Sequence, residues 1–246
     1  MKLLDTAGGN TKIKKSGKNK KVRIASLSLY PDDEICPARN LAGCAEACLV
    51  GSGRGVMSNV INGRKNKTEW YHSDRPAFIA QLKKELLNFA KLCKREKVQG
   101  YVRLNTISDI PFELRSNGQI PQSFPELNFY DYTKRAFRLN RIPANYKLMF
   151  SYSAKKEYKS QVMAALKTPV PISAVFYGEM PTTFLGRPVI NGDLSDLINV
   201  EKTGYIIGLK YKPNRINQIN PLHSPFIICT DRPGTQRKNP QESIAA

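Results

Sequence analysis

Short apolar segments recur along the chain, with helical or basic segments between them. Seven of them are predicted strands, over 22–29, 98–105, 127–134, 145–153, 172–178, 204–212 and 224–230. Strands that are apolar over several residues and alternate with helices are typical of a parallel sheet covered by helices. The alternation therefore predicts an α/β fold, and a partial or closed (β/α) barrel with mostly parallel strands fits it best.

The clearest helix is predicted over 74–97. Asp74 is a suitable N-cap, and Pro76 lies in the first turn, where proline is tolerated. An apolar face repeats at helical spacing through Ile79, Leu82, Leu86, Ala90 and Cys93. Cys93 is accordingly predicted to be a core residue. A second helix is predicted over 155–166, and a basic helical segment over 135–140.

The predicted organisation is a single α/β domain over 22–230, with a basic arm or hairpin at 1–21 and a flexible tail at 231–246. The start, MKLLDTAGGNTKIKK, lacks the apolar run of a signal peptide, and no later stretch is long and apolar enough to span a membrane. We therefore expect a cytoplasmic protein. In that reducing compartment, five cysteines favour a metal site over a disulfide framework. The oligomeric state is not indicated.

The chain is strongly basic, with 39 Lys and Arg against 20 Asp and Glu and a net charge of +19. Such a charge favours a polyanionic partner, and nucleic acid, either DNA or RNA, is the first expectation. The cations expected to contact phosphates lie in the arm, in the glycine-rich GSGRG and after YDYT, and they are Lys14, Lys15, Lys20, Lys21, Arg54, Lys134 and Arg135.

Three cysteines lie on the loop that follows the first predicted strand, with the spacing C-x7-C-x3-C. They are Cys36, Cys44 and Cys48, and thiolates at this spacing are able to converge on one metal ion or cluster. A structural zinc site needs a fourth ligand, for which the chain offers no familiar spacing. A [4Fe–4S] cluster with three cysteine ligands keeps one iron open. Iron–sulfur, zinc and a purely structural loop all remain open at this point.

Polar residues follow several predicted strands. Those after the second strand are Arg103, Asn105, Ser108 and Asp109, and those after the fourth are Ser151 and Ser153. In barrels and in open parallel sheets, binding sites are built at the carboxyl ends of the strands.

Three cysteines after the first strand of a β/α barrel resemble the arrangement in radical S-adenosylmethionine enzymes. The resemblance implies that Asp109, with Arg103, Asn105 and Ser108, lies where such enzymes hold the cofactor's amino group. Ser151 and Ser153 lie where the ribose is held. The strings CP…GC…CL…GRG, VRLNTISDIPFE, FPELNFYDYTKR, NYKLMFSYS and VINGDLSDL also resemble an uncharacterised family of three-cysteine proteins carried by bacteriophages and plasmids, over most of residues 10–230.

The sequence thus predicts an iron–sulfur protein of a mobile genetic element that acts on or near nucleic acid. The expected cofactors are a [4Fe–4S] cluster and S-adenosylmethionine, and whether the protein is an enzyme is left open. The alternative, from another class, is a basic DNA- or RNA-binding protein whose cysteines bind zinc or are structural.

Overall fold

The computed structural model describes residues 1–6 and 21–230, which form a mixed α/β fold around one ten-stranded sheet. The helices are α1 (Ser58–Ser73), α2 (Arg75–Glu96), α3 (Ile120–Ser123), α4 (Lys159–Leu166) and α5 (Asp196–Asn199). The strands are β1 (Leu4–Asp5), β2 (Val22–Leu27), β3 (Gln99–Arg103), β4 (Asn128–Thr133), β5 (Tyr146–Ser151), β6 (Ile172–Tyr177), β7 (Thr183–Phe184), β8 (Arg187–Asn191), β9 (Ile206–Lys210) and β10 (Ile227–Cys229). The predicted α/β class is confirmed.

The sheet is mostly parallel and open. Its order is β1-β2-β3-β4-β5-β6-β9-β8-β7, and β10 pairs with β6 outside this path. The neighbours from β2 to β8 are parallel, whereas β1 and β7 run antiparallel to β2 and β8. Closure into a barrel requires the two outer strands to pair with each other. The sheet instead ends at β1 and β7, so the closed-barrel prediction is wrong.

Four parallel strands that follow one another in the sheet place their connecting loops at the same edge. β2, β3, β4 and β5 are neighbours in chain order and pair in parallel. Their carboxyl ends therefore share one edge, as in other open parallel sheets. The cysteine loop follows β2, a polar turn follows β3, and Lys134 directly follows β4.

Alternate strand residues divide between two hydrophobic cores. Ala25 and Leu27 belong to the larger core, which the sheet shares with α2 and α4, whereas Ile24 belongs to a smaller core on the opposite face. The smaller core also contains Leu197 from α5 and Val200 just after it. The longer helices therefore cover one face of the sheet, and the short α5 segment covers part of the other.

The predicted long helix is confirmed as α2. The Asp74 carboxylate accepts the N–H of Ala77 at 3.0 Å, which is the expected N-cap bond. The apolar face is buried, and Cys93 is 4% exposed within the larger core, as predicted. The helix ends at Glu96, and the C-cap residue Lys97 adopts a left-handed conformation with φ of 52°.

The first residues of the predicted arm are part of the folded domain. Leu3 and Leu4 are buried, and their N–H groups donate to the Glu85 carboxylate at 2.8 and 2.7 Å. The Lys67 ammonium donates to the Leu3 carbonyl at 2.9 Å. Residues 7–20 of the predicted arm or hairpin lie outside the described residues, and so does the predicted tail at 231–246.

Three helices and three strands were not predicted, namely α1, α3, α5, β1, β7 and β8. α1 has the polar sequence SNVINGRKNKTEWYHS, in which only Thr68 and Tyr71 are buried. A helix that buries so little carries no apolar stripe, which explains why the periodicity did not reveal it. No helix in the described part of the chain has the length and hydropathy needed to cross a membrane.

Candidate functional site

The cysteine loop joins β2 to α1 and is folded by local hydrogen bonds. Asp32 Oδ1 accepts the Ile35 N–H at 2.8 Å, and the Asp32 carbonyl accepts the Cys36 N–H at 2.9 Å. The three cysteines of the loop are free thiols. Cys44 is buried, and Cys36 and Cys48 are half-buried. Local turns therefore hold three reduced sulfur atoms in a partly buried position.

Burial and, in part, neighbouring cysteines of the loop raise the pKa values of Cys36 and Cys44. The pKa of Cys36 is raised to about 12, mainly by burial. Asp109, Cys48 and Cys44 raise it further, whereas the positive charge of Lys134 lowers it. Burial also raises the pKa of Cys44, and Lys134 again opposes the rise. Only a thiolate binds metal. The raised pKa values of Cys36 and Cys44 mean that metal binding at these two thiols must displace a proton.

Lys134 interacts electrostatically with all three of these cysteines. Burial alone lowers its pKa, but the three cysteines and Asp109 more than offset this, so the pKa of the ammonium is above its ordinary value. Its backbone is fixed on both sides: its N–H donates to Asp109 Oδ2 at 2.8 Å, and its carbonyl accepts the Tyr158 hydroxyl at 2.7 Å. A lysine predicted as a nucleic-acid contact thus has its ammonium beside the cysteines.

A buried ion network supports the aspartate that holds Lys134. The side chain of Arg138 has no exposed surface, and its Nη1 donates to the Asp109 carboxylate. Its Nε and Nη2 donate to the Glu113 carboxylate at 2.8 and 2.9 Å. Nη2 also donates to the Tyr146 hydroxyl at 2.9 Å. A buried charge without its partner is strongly destabilising, so these residues fix one another rigidly.

Asn214 attaches the cysteine loop to a segment that is distant in sequence. Its Nδ2 donates to the carbonyls of Glu46 at 2.9 Å and Cys48 at 3.1 Å. Its Oδ1 accepts the N–H groups of Ile216 at 2.9 Å and Asn217 at 3.0 Å. The residue is 3% exposed, so all four bonds are shielded from water. Asn214 thereby fixes the backbone next to Cys48.

The glycine-rich stretch 51–55 contains Arg54, which was predicted to contact an anion. Two of its glycines allow close packing against neighbouring atoms. A Cβ at Gly51 would lie 1.9 Å from Asn214 Oδ1, and a Cβ at Gly55 would lie 2.7 Å from the Val50 carbonyl. Both positions therefore require glycine for close approach. Arg54 itself is exposed on the turn between them.

Arg103 was predicted at the cofactor site. Its side chain is directed to the sheet face that α5 partly covers, opposite α2 and α4. Its Nη1 donates to Asp196 Oδ2 at 2.7 Å, and its guanidinium lies 4.7 Å from the centre of the Tyr132 ring. The Tyr132 hydroxyl donates to the other oxygen of Asp196 at 2.8 Å. Arg103 thus joins β3 and β4 to α5.

Asn105 and Ser108 shape the turn that leads to Asp109. Asn105 Oδ1 accepts the Ser108 hydroxyl and the Ile110 N–H, both at 2.8 Å. Asn105 Nδ2 donates to the Ile110 carbonyl at 3.0 Å and to Asp131 at 3.2 Å. The Asp109 carboxylate is itself occupied by Arg138 and the Lys134 N–H.

The two serines predicted at the ribose position are also bound to the protein. Ser153 Oγ donates to the Pro225 carbonyl at 3.3 Å and accepts the Lys155 N–H at 3.2 Å. The Ser173 hydroxyl lies 3.5 Å from Ser151 Oγ. The polar atoms predicted to hold S-adenosylmethionine are largely engaged within the protein and do not fit an open cofactor site.

The remaining predicted phosphate contacts are dispersed. Lys21 is exposed beside the start of β2, and the Arg135 guanidinium lies 4.6 Å from the centre of the Phe137 ring. Lys14, Lys15 and Lys20 lie outside the described residues.

No group of three or more His, Cys, Asp and Glu side chains in residues 1–6 and 21–230 has the arrangement needed to hold a metal ion. Cys93 is on the buried face of α2, and the Cys229 thiol donates to the Pro221 carbonyl at 3.4 Å. Neither residue was predicted as a ligand.

The sequence did not reveal three residues that build this site: Arg138, Tyr158 and Asn214. Arg138 lies in a basic stretch that reads as a solvated helix, and Tyr158 lies among lysines. Asn214 follows a proline in a segment without periodicity. Each acts through contacts that are formed only after the chain folds.

Comparisons with known proteins give one match. Neither the curated proteins nor the solved structures contain a match to this chain. A family model, described as Gene product 88, matches residues 1–218. Since this range covers most of the chain's 246 residues, the protein belongs to the Gene product 88 (GP88) family of phage-type proteins.

Proposed function

We propose that the protein is an iron–sulfur protein that holds a [4Fe–4S] cluster through Cys36, Cys44 and Cys48 and acts on or near nucleic acid. The observation that carries the cluster is that one loop holds three free, partly buried thiols, all of which interact electrostatically with Lys134. The donor set fits, because thiolates are the ligands that iron–sulfur clusters use.

The arrangement favours a cluster over a single zinc ion. A structural zinc needs four donors at bonding distance from one point. The described residues offer no such group. A [4Fe–4S] cluster is able to use three cysteine ligands and to keep one iron open, so the three loop thiols match it in number.

The protein's own residues provide charge balance and rigidity. Three thiolates would place negative charge in a partly buried loop, and the Lys134 ammonium offsets it. Asp109 and Tyr158 hold the lysine backbone, and Asn214 holds the backbone next to Cys48. When bound, a cluster with three protein ligands supplies an open iron to which a small molecule binds.

S-adenosylmethionine is the small molecule that the resemblance to radical enzymes implies. β2, β3, β4, β5, β6 and β9 are parallel and lie in chain order, but they belong to an open sheet. The residues predicted to hold the cofactor are engaged in hydrogen bonds and ion pairs within the protein.

Nucleic-acid binding is the second component and also stands as an alternative function by itself. The net charge of +19 favours it, because neutralising phosphates releases condensed counterions. In that alternative, the cysteines bind zinc or only shape the loop.

The cluster is tested by expressing the protein anaerobically and measuring iron, sulfide and zinc per chain together with the visible spectrum. We expect about four iron and four sulfide per chain, the composition of such a cluster. Colourless protein without iron or sulfide after reconstitution contradicts the proposal. Stoichiometric zinc without sulfide supports the alternative. Adding S-adenosylmethionine to the reduced protein and recording its electron paramagnetic resonance tests the open iron.

Two matched pairs of variants test the ligands and the lysine. Cys44→Ala should abolish iron binding, whereas Cys93→Ala, which removes a thiol from the core of α2, should retain it. Lys134→Gln should lower the iron content or the reduction potential, because the positive charge near the site is lost, and Lys134→Arg should preserve both. Loss of iron in Cys93→Ala, or unchanged behaviour in Lys134→Gln, contradicts these assignments.

A further inference from the structure

The outer face of α2 carries a row of cations that the site does not use. Lys84, Lys91, Lys94 and Arg95 are all exposed, and their spacing places them on the side opposite the buried face. We call these four residues the α2 basic stripe. It extends over about 17 Å, at a rise of about 1.5 Å per residue.

The α2 basic stripe is not neutralised by acidic residues. The two carboxylates in this part of the helix are engaged elsewhere, since Glu85 accepts the N–H groups of Leu3 and Leu4 and Glu96 pairs with Arg23. None of the four cations forms an ion pair with another described residue. The charge of the stripe therefore faces solvent without compensation.

Two further lysines extend the charge at the end of the helix. Lys97 is the C-cap of α2 and is exposed. The Lys21 carbonyl accepts the Gln99 N–H at 2.9 Å, so the exposed Lys21 lies beside the same end. The cationic surface thus continues from α2 to the start of β2.

The chemistry of this surface fits a duplex better than a single strand. Single-stranded binding relies on aromatic side chains that stack on bases. The aromatic residues of α2, Phe78 and Phe89, are buried in the core, and Leu87 and Asn88 lie between the cations. A duplex presents about one charge per 1.7 Å of its axis, so a stripe of this length faces several phosphates.

We infer that the α2 basic stripe is a docking surface for the phosphate backbone of a nucleic-acid duplex, without recognition of base sequence. This inference rests on the proposed action on nucleic acid and is independent of the cluster. It places the duplex on the helix face directed away from the core, and of the residues predicted for this role from the sequence only Lys21 is shown here to lie beside the stripe.

The test compares two variants of the full chain that each lose four positive charges. The stripe variant is Lys84→Gln, Lys91→Gln, Lys94→Gln, Arg95→Gln. The control variant is Lys156→Gln, Lys167→Gln, Lys202→Gln, Lys210→Gln, all at exposed positions. Glutamine preserves helix propensity, and circular dichroism with urea unfolding checks that both variants fold. Binding to fluorescent duplexes of two unrelated sequences is measured by anisotropy as a function of salt concentration.

Each phosphate contact contributes about 0.9 to the slope of log K against log salt. The stripe variant should therefore have a slope about 3.6 units shallower than wild type and an affinity lower by more than about 100-fold at low salt. The control variant should retain the wild-type slope. Both duplex sequences should behave alike, and a single strand of the same length should bind more weakly.

Equal losses in both variants would show that net charge alone matters and overturn the inference. Unchanged binding by the stripe variant would overturn it while leaving nucleic-acid binding intact. Failure of the wild-type protein to bind any duplex would reject the proposed nucleic-acid function itself. Equally tight binding to phosphatidylserine vesicles would assign the surface to anionic membranes instead.

Discussion

Gly51→Ala should destabilise the cysteine loop, although it adds only one methyl group. The new Cβ would lie 1.9 Å from Asn214 Oδ1, 2.4 Å from its Cγ and 2.8 Å from its Nδ2. Contacts under about 3 Å do not occur between such atoms, so the Asn214 side chain or the loop must move. Asn214 is 3% exposed and has no free space in which to adjust without losing its partners.

The magnitude follows from the hydrogen bonds that Asn214 forms. Its side chain donates two and accepts two, at 2.9–3.1 Å. A hydrogen bond contributes about 1 kcal/mol net, and a buried group left without a partner loses more. Displacement of Asn214 should therefore lower the free energy of unfolding by about 3 kcal/mol, and Asn214→Ala should lower it by a similar amount.

The assay is urea unfolding of wild type, Gly51→Ala and a matched control, Gly63→Ala. A Cβ at Gly63 meets nothing within 4 Å, and the residue lies inside α1. The control should be more stable than wild type by up to about 1 kcal/mol, since alanine is the better helix former. If Gly51→Ala unfolds within about 0.5 kcal/mol of wild type, Asn214 does not hold the loop as described. Iron content after reconstitution should fall in Gly51→Ala and remain unchanged in Gly63→Ala.

Two further predictions concern buried charges. Burial raises the pKa of Asp131 to about 6, from an ordinary 3.8, so the folded state binds a proton more tightly than the unfolded state. This contribution to stability is complete below pH 4 and is lost as pH rises through 6, by about 3 kcal/mol in total. The free energy of unfolding of wild type minus that of Asp131→Asn should therefore fall as pH rises across this range. A difference that does not change with pH contradicts the prediction. Arg138→Met should lower the free energy of unfolding in urea by about 3–5 kcal/mol, because it leaves Asp109 and Glu113 unpaired. Arg23→Met removes an exposed ion pair and should lower it by under about 1 kcal/mol. Equal losses for the two arginines would refute the buried network.

Much of the secondary structure was predictable because its signals are local. All seven predicted strands are present as β2, β3, β4, β5, β6, β9 and β10, and the Asp74 cap and apolar face identified α2. The missed strands β1 and β7 have only two residues each, which is too short for a periodic pattern. α1 was missed because its stability comes from contacts at a few positions and not from an apolar face.

The candidate site was only partly predictable. The three cysteines and their position after β2 were recognised from spacing and strand order. The chain also indicated polar residues after β3, but Arg103 proved to face Asp196 on the other side of the sheet. Successive residues of a strand point to opposite faces, so a shift of one position reverses the direction of a side chain. Lys134, half-buried directly after β4, interacts electrostatically with the thiols, and the sequence did not indicate this.

The sequence by itself determined the α/β class, the cysteine loop at the carboxyl edge of the sheet and the strongly basic character. These properties follow from composition and from periods of two and 3.6 residues, which are written in short segments. Only the tertiary structure decided that the sheet stays open, that Lys134 and Arg138 support the thiols and that Asn214 holds Cys48. Asn214 and Cys48 are 166 positions apart in the chain. A contact over that distance depends on how whole elements pack, and no local pattern encodes it.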